Sequence, residues 1–258
     1  MSHKKVNKIV MLWVALCVTQ TSVANSSPTN LVHETQKFSV ETGATRVIFT
    51  PNSQGSTLTV TNPQTYPILV QSEVLQADKE TKSSFVVTPP LFRLDGEQSN
   101  RIRIINTEKL GPDDRESLYW LCITGIPPEI DSDWVTEDEK SKQLDSATLL
   151  TQMRIKSCIK LIVRPKSIAN KTALDVASSI EWIKEGERLK IHNPTPYIFN
   201  FKDISINNKK VSLPDSGYIL PYSDATVSVK AVGDSTVSWH LITDFGGESR
   251  KFESKIKG

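Results

Sequence analysis

Short runs in which apolar and polar residues alternate recur along the whole chain, and Pro, Gly, Asn and Asp separate them. This two-residue period is typical of β-strands, and helical periodicity is almost absent. Many short strands of this kind favour an all-β chain built from antiparallel sandwiches. The pattern predicts strands over residues 38–40, 45–50, 56–61, 67–75, 85–90, 91–94, 100–105 and 117–124, and later over 180–183, 189–192, 198–201, 204–206, 218–220, 226–229, 237–242 and 251–256.

One alternating run is much longer than the others. From Leu149 to Pro165 the odd positions are mostly apolar, while the even positions are mostly polar or basic. Strands in compact domains usually have 3–10 residues. We therefore expect this run to project beyond its own sheet, or to form an edge on which another strand pairs.

The length of the chain suits two domains of a little over 100 residues each. Pro165 ends the long run and cannot donate a backbone hydrogen bond, so we place the boundary there, with domains over 25–166 and 167–258. Acidic residues outnumber basic ones between 127 and 146, which predicts a long, solvated loop within the first domain. We detect no sequence repeat that relates the two halves.

Residues 1–24 have the features of a secretory signal peptide. Three lysines precede an apolar run from Ile9 to Val18, and Ser22-Val-Ala24 fits a signal-peptidase site. A membrane anchor is the alternative, but the run is well short of the ~20 residues that span a bilayer. Without the leader the formal charge falls from +2 to −1 over the remaining 234 residues, which argues against nucleic-acid binding.

Two cysteines, Cys122 and Cys158, remain after the leader is removed. An even pair in an exported protein is typical of one disulfide. By loop entropy, a bond that closes a loop of this length stabilises the fold by about 4 kcal/mol. Two unpaired, buried thiols are the alternative.

The candidate chemistry gives little support for an enzyme. The exported chain has His33, His192 and His240, without an HExxH motif or a Cys/His ligand spacing. It also lacks a G-x-S-x-G elbow and a glycine-rich phosphate loop. We therefore predict no catalytic residues, no metal and no cofactor.

Seven blocks of the sequence resemble, in order and spacing, the motifs of the PapD-like periplasmic chaperones of the chaperone/usher pathway for fimbriae. They extend over almost the whole exported chain. The blocks are Thr45-Arg-Val-Ile-Phe49, Thr88-Pro-Pro-Leu-Phe-Arg-Leu94, Asp114-Arg-Glu-Ser-Leu-Tyr-Trp120, Gly125-Ile-Pro-Pro128, Ile159-Lys-Leu-Ile-Val-Arg-Pro165, Asn193-Pro-Thr-Pro-Tyr197 and Leu220-Pro-Tyr-Ser223.

The resemblance implies two immunoglobulin-like β-sandwich domains set at an angle like a boomerang, with a fibre subunit held in the cleft. It also implies that Arg46 and Lys160 grip the C-terminal carboxylate of that subunit. A buried carboxylate must be paired, and two fixed cations would set the register of the bound chain. A solvent-facing role for Arg46 is the alternative.

The same resemblance implies that the chaperone lends a strand to the subunit, whose own sandwich lacks its last strand. By position the donor residues are Leu149, Thr151, Met153 and Ile155, with Ala147 extending the arm. Thr151 interrupts an otherwise bulky series. The alternative is that this face packs on the chaperone's own core.

A cysteine pair that flanks a long acidic loop resembles the long-loop branch of the family, which serves thin or afimbrial adhesive fibres. In that branch the N-terminal segment, here Leu31, Val32, Phe38 and Val40, also lies beside the donor strand. Three charged residues match an ion triad that fixes the angle between the domains, with unrelated surface charges as the alternative. These are Glu116, Arg164 and Asp244.

The resemblance therefore predicts a periplasmic chaperone whose partners are a fimbrial or adhesin subunit and an outer-membrane usher. It also allows self-association of the free chaperone. The rival prediction is an exported immunoglobulin-like fibre subunit or adhesin. A subunit would be a single domain with an N-terminal donor, whereas the donor-like run here lies mid-chain and a second domain follows it.

Overall fold

The computed structural model describes residues 32–108, 110–127, 148–214, 216–229 and 235–257, and at 32–34 and 148–150 it describes the backbone alone. Nearly all regular structure in these ranges is β-strand, arranged as two successive sandwiches. This confirms the predicted all-β class. The signal peptide, most of the acidic loop, Leu31 and Ala147 lie outside the described residues. In the described ranges no helix is long and apolar enough to cross a bilayer.

The first sandwich packs a five-stranded sheet, in the order β3-β11-β9-β5-β7, against a four-stranded sheet in the order β2-β4-β8-β6. Alternate residues of both sheets point inward and form one apolar core that includes Phe49, Ile104 and Leu161. The strands are β1 (Val32–Phe38), β2 (Glu41–Thr42), β3 (Arg46–Phe49), β4 (Ser56–Thr61), β5 (Ile68–Leu75), β6 (Phe85–Thr88), β7 (Leu91–Leu94), β8 (Ser99–Asn106), β9 (Ser117–Ile126), β10 (Thr148–Arg154) and β11 (Lys156–Val163).

The long predicted strand is in fact two strands that meet at Ile155. β11 pairs with β3 on one side and β9 on the other, whereas β10 forms a separate two-stranded sheet with β1. The change of partner explains the break. The N–H of Ile155 donates to the carbonyl of Phe38 (3.1 Å), while its carbonyl accepts from the N–H of Gly125 (3.2 Å). Gly125 permits this approach, because a Cβ there would lie 2.4 Å from the Phe38 oxygen.

The second sandwich follows two short 3₁₀ turns, Lys166–Ile168 and Ala177–Ser179. It packs β12-β13-β17 against β15-β14-β18-β19, with β16 also paired to β14, around a core that includes Trp182, Phe199 and Trp239. The strands are β12 (Glu181–Glu185), β13 (Arg188–Asn193), β14 (Phe199–Ile206), β15 (Lys209–Val211), β16 (Tyr218–Ile219), β17 (Ser223–Ser228), β18 (Thr236–Leu241) and β19 (Phe252–Lys255).

A single disulfide joins the predicted cysteines. Cys122 on β9 and Cys158 on β11 are direct cross-strand partners, with their Cα atoms 4.0 Å apart. The bond therefore fixes neighbouring strands of the first sandwich. It closes the chain segment that contains the predicted acidic loop.

The structure reveals a repeat that the sequence analysis missed. Asn62 and Asn193 are both fully buried and begin equivalent turns in the two sandwiches. Each amide donates to the carbonyl four residues later, that of Tyr66 (2.8 Å) or Tyr197 (2.7 Å). Each side-chain oxygen accepts from the backbone N–H two residues later, at 3.1 Å and 3.0 Å. An Asn-Pro start and a Tyr at the fifth position are the shared sequence signal.

Candidate functional site

Arg46 and Lys160, which lie 114 positions apart in sequence, are direct neighbours in the structure. They are register partners in the parallel ladder between β3 and β11. Side chains of register partners in a sheet share a face. The two predicted anchor residues therefore form one cationic pair where the two sandwiches meet.

The Lys160 ammonium is held by residues of the second sandwich. Its Nζ donates to Oδ1 of Asn200 (2.6 Å) and lies 4.4 Å from the ring centroid of Tyr218. Burial, followed by the charges of Arg46 and Lys79, lowers the pKa of Lys160 to about 8. Lys160 is therefore still cationic at neutral pH, but less favourably so than an exposed lysine.

The guanidinium of Arg46 carries one N–H group that has no acceptor among the described residues. The residue is 7% exposed, and its Nη1 donates to the carbonyl of Ile242 at 3.4 Å. Its Nε is buried and has no hydrogen-bond partner among the described residues. Burial lowers the pKa of Arg46, and the charge of Asp244 opposes that shift. A buried donor without an acceptor costs free energy unless a ligand oxygen supplies one.

Lys79 adds a third cation that the sequence analysis missed. It lies in the turn after β5, where its backbone is left-handed at φ 62° and the side chain of Asp78 accepts hydrogen bonds from the backbone N–H groups of Glu80 and Thr81. Its Nζ stands 4.0 Å from the ring centroid of Trp120, the cross-strand partner of Lys160. Sequence spacing gives no signal for this approach, because it depends on how the turn folds over β9.

Glu116, Arg164 and Asp244 form the predicted ion cluster between the sandwiches. Arg164 Nε donates to Glu116 at 2.6 Å, and its two Nη atoms donate to Asp244 at 2.6 and 2.9 Å. Glu116 also accepts from the N–H of Ile198 at 2.6 Å, and its side chain is 1% exposed. These contacts join the residue before β9 and the residue after β11 to two segments of the second sandwich.

Burial is the largest influence on both members of the buried pair. It raises the pKa of Glu116, and the charge of Arg164 and the hydrogen bond from Ile198 act against that shift. For Arg164 burial alone would lower the pKa, but the hydrogen bonds and charges of Asp244 and Glu116 outweigh it and raise the pKa. Two short charge-assisted hydrogen bonds to Glu116 favour its ionised form, so the cluster is a set of paired charges.

β10 offers one edge of its backbone to a further strand. A residue's N–H and C=O point to the same side of a strand, and successive residues alternate sides. The N–H and C=O groups of Ile155 point to the side of β1 and β9. The backbone N–H and C=O of Met153 therefore also point toward β1, whereas those of Gln152 and Arg154 point away from it. Within the described ranges β1 is the one neighbour of β10. The opposite edge of β10 lies on the side where β11 pairs with β3. The N–H of Arg164, at the end of that run, donates to the carbonyl of Phe49 on this side (2.8 Å).

The predicted donor residues leave the core progressively toward the start of β10. On β11 the odd positions Leu161 and Val163 are fully buried in the first sandwich. Ile155 is half-buried, Thr151 is exposed and Met153 is 46% exposed. The backbone of Leu149 lies in β10, but its side chain is outside the described part of the chain. The alternation of apolar residues therefore continues beyond the part of this run that packs into the core of the first sandwich.

The N-terminal segment does lie beside the predicted donor. β1 pairs with β10 in parallel from Val32↔Thr148 to Phe38↔Arg154. Phe38 and Val40, however, are buried in the first sandwich. These two residues fix the end of β1 to the first sandwich, and the earlier part of β1 projects from that sandwich together with β10.

Comparison with known proteins identifies the class. The chain matches the family model of the pili and flagellar-assembly chaperone PapD N-terminal domain over residues 39–169. It matches the model of the pili assembly chaperone PapD C-terminal domain over residues 175–253. The chain belongs to the PapD family of pili assembly chaperones.

Similar individual proteins agree with this assignment. Chaperone protein AggD of Escherichia coli is 41% identical over 253 residues, covering 98% of this chain and 99% of the relative. The crystal structure of the E. coli chaperone DraB has a TM-score of 0.75 and 45% identity, covering 87% of this chain and all of that chain. A structure of Salmonella enterica SafA pilin in complex with the SafB chaperone has a TM-score of 0.74 and 40% identity, with the same coverage. These relatives are chaperones, which argues against the rival prediction of a fibre subunit.

Proposed function

We propose that this protein is a periplasmic chaperone that binds a fimbrial or afimbrial adhesin subunit, completes the subunit's sheet with β10, and delivers it to an outer-membrane usher. The observation that carries the proposal is the open edge of β10, which runs directly into the strand that bears Lys160. A partner can therefore be fixed at one point and paired along the strand from there.

The cationic pair supplies the fixed point. Arg46 has a buried N–H without an acceptor among the described residues, and the pKa of Lys160 is lowered by burial and like charge. A carboxylate between them would accept from both and would remove much of the cost of holding two cations together. A chain terminus is the one backbone carboxylate that a subunit offers, so the pair selects the end of the subunit chain.

The open edge of β10 determines how far a subunit strand can pair with the chaperone. Met153 lies seven positions before Lys160, which corresponds to roughly 23 Å of extended strand. Main-chain hydrogen bonds along this edge give affinity, and the apolar side chains at alternate positions give register. An unpaired, partly apolar edge is also a hazard for aggregation. The free chaperone would therefore cover it by pairing with a second copy until a subunit arrives.

A related structure supports the proposal that the partner is a fibre subunit. The SafB chaperone, at 40% identity, has been solved in complex with the SafA pilin. Family membership also supports the periplasm as the site of action. No nucleotide is required in this account, since one strand pairing replaces another when the usher adds the next subunit.

Met153→Asp tests the donated strand. Because Met153 is exposed in the free chaperone, the change should leave folding intact, whereas in the complex it would bury an unpaired charge at a cost of several kcal/mol. We expect the amount of subunit that co-purifies from periplasm to fall more than ten-fold. Val86→Asp is a matched control, because Val86 is 43% exposed and lies on β6. Equal recovery with Met153→Asp and Val86→Asp would contradict the proposal.

A further inference from the structure

Three metal-ligating side chains converge on the second sandwich, away from the cationic pair. His240 Nδ1 lies 2.8 Å from Asp203 Oδ1 and 3.8 Å from Glu248 Oε1. One ligand atom from each of the three residues can be chosen so that all lie within 4.8 Å of one another. Residues 203, 240 and 248 follow no short spacing motif, so no sequence signal marks this cluster.

The backbone holds the three side chains in place. Asp203 and His240 are cross-strand partners on β14 and β18, beside a register shift between Phe201 and Asp203. Such bulges commonly redirect a side chain next to a functional site. Glu248 is held by a bridge to Ile242 just after β18. All three ligands therefore come from, or are tied to, one rigid sheet.

The charges around His240 differ from those around the other histidine that contacts an aspartate, His192. Among the described residues, Asp203 and Glu248 form their ion pairs with His240 alone. The other His-Asp pair is different, because Asp224 contacts Lys190 (2.9 Å) as well as His192 (2.6 Å). Two carboxylates that share one imidazole retain excess negative charge even when the imidazole is protonated. A divalent cation would neutralise that charge, and at Asp224 Lys190 already serves this purpose.

We propose that Asp203, His240 and Glu248 bind a divalent transition-metal cation, for which Zn²⁺ is the reference ion. Imidazole nitrogen and carboxylate oxygens are ordinary zinc ligands at about 2.0–2.2 Å, and a tetrahedral site places such atoms about 3.3 Å apart. The two contacts of Nδ1 lie on either side of that value, and the ligand atoms of all three residues lie within 4.8 Å of one another. Side-chain rotations that close the widest separation by up to about 1.5 Å would therefore complete the site. The metal would replace the proton on Nδ1 and leave a fourth position for water.

The cation would also strengthen the turn that serves the interdomain cluster. Between Ile242 and Glu248 the chain forms a tight turn, with Thr243 N–H donating to Gly247 (2.8 Å). Asp244, which holds Arg164, lies in this turn. A metal bond to Glu248 would close the base of the turn against β14, so metal binding should raise the melting temperature.

Zinc titration of the mature chaperone, purified without a histidine tag and stripped with EDTA, tests the site. We expect calorimetry to detect one Zn²⁺ per chain, and Co²⁺ to give the visible absorption of a low-symmetry nitrogen-oxygen site. His240→Gln and Glu248→Gln should each weaken Zn²⁺ binding at least ten-fold. Glu248 has a half-exposed side chain, so its variant should fold normally. His192→Gln, the matched control, should bind as the wild type does.

The outcomes separate the proposal from non-specific binding. A zinc-dependent rise in melting temperature that is lost in Glu248→Gln but kept in His192→Gln supports the site. No stoichiometric binding, or equal losses in His192→Gln and His240→Gln, would overturn it. No subunit is needed in this experiment, so its result is independent of the proposed chaperone function.

Discussion

Replacing Lys160 by alanine is expected to abolish most subunit retention. Removing one member of a buried, hydrogen-bonded charge contact costs about 2–5 kcal/mol, which corresponds to roughly thirty-fold to several-thousand-fold weaker binding. The dissociation constant of the chaperone–subunit complex and the amount of subunit recovered from periplasm measure this directly. Lys156→Ala is the control, because Lys156 lies on the same strand but pairs with Glu73 at the surface.

The pH dependence of binding should identify the ammonium itself. The pKa of Lys160 in the free chaperone is about 8, and a bound carboxylate would raise it. Binding then takes up a proton in the window that begins near pH 8, so affinity should fall as the pH is raised from 7 to 9. Lys160→Arg should bind with little pH dependence over that range, because guanidinium stays protonated. Wild-type binding that is constant from pH 7 to 9, or full binding by Lys160→Ala, would refute the anchor.

Replacing Arg164 by alanine should have the largest effect on stability. The substitution leaves Glu116 buried without its cationic partner, and breaking a buried ion pair in this way costs about 3–5 kcal/mol. For a chain of this length that corresponds to a fall in melting temperature of roughly 6–20 °C. Thermal unfolding followed by circular dichroism measures the change.

A surface ion pair provides the comparison for Arg164. Arg93 contacts Asp95 at 2.9 Å, and both side chains are more than one-third exposed, so Arg93→Ala should cost less than about 1 kcal/mol. Since Arg164 joins the two sandwiches, its loss should also increase proteolysis between residues 164 and 175. Equal, small effects of Arg164→Ala and Arg93→Ala would mean that the cluster does not hold the domains.

The β-period was sufficient to predict most of the fold. The strands over 56–61 and 91–94 match the structure at both ends, and most other strands differ by one or two residues. The predicted strand over 38–40 is wrong, because β1 ends at Phe38 and β2 begins at Glu41, and the two strands predicted over 198–201 and 204–206 are one strand, β14. The prediction failed where partner exchange decides the structure. Nothing in the alternation from 149 to 165 indicates the break at Ile155, which arises because β1 replaces β9 as the neighbour beyond Gly125.

The candidate site was predictable only where a family motif carries it. Motif position located Arg46 and Lys160, which are register partners. The groups that tune Lys160 come from elsewhere in the fold: Asn200 and Tyr218 approach it from the second sandwich, and Lys79 from a turn. Such contacts depend on the packing of two domains, and no local sequence period encodes that packing.

Residue-resolved amide exchange of β10, in the free chaperone and in the subunit complex, tests the donated strand most directly. In the free protein, at a concentration low enough to keep it monomeric, the amides of Met153 and Ile155 should be protected by pairing with β1, while those of Gln152 and Arg154 should exchange quickly. Binding of the subunit should slow exchange at Gln152 and Arg154 by more than ten-fold. If those two amides exchange equally fast in the complex, the open edge of β10 is not the surface that holds the subunit.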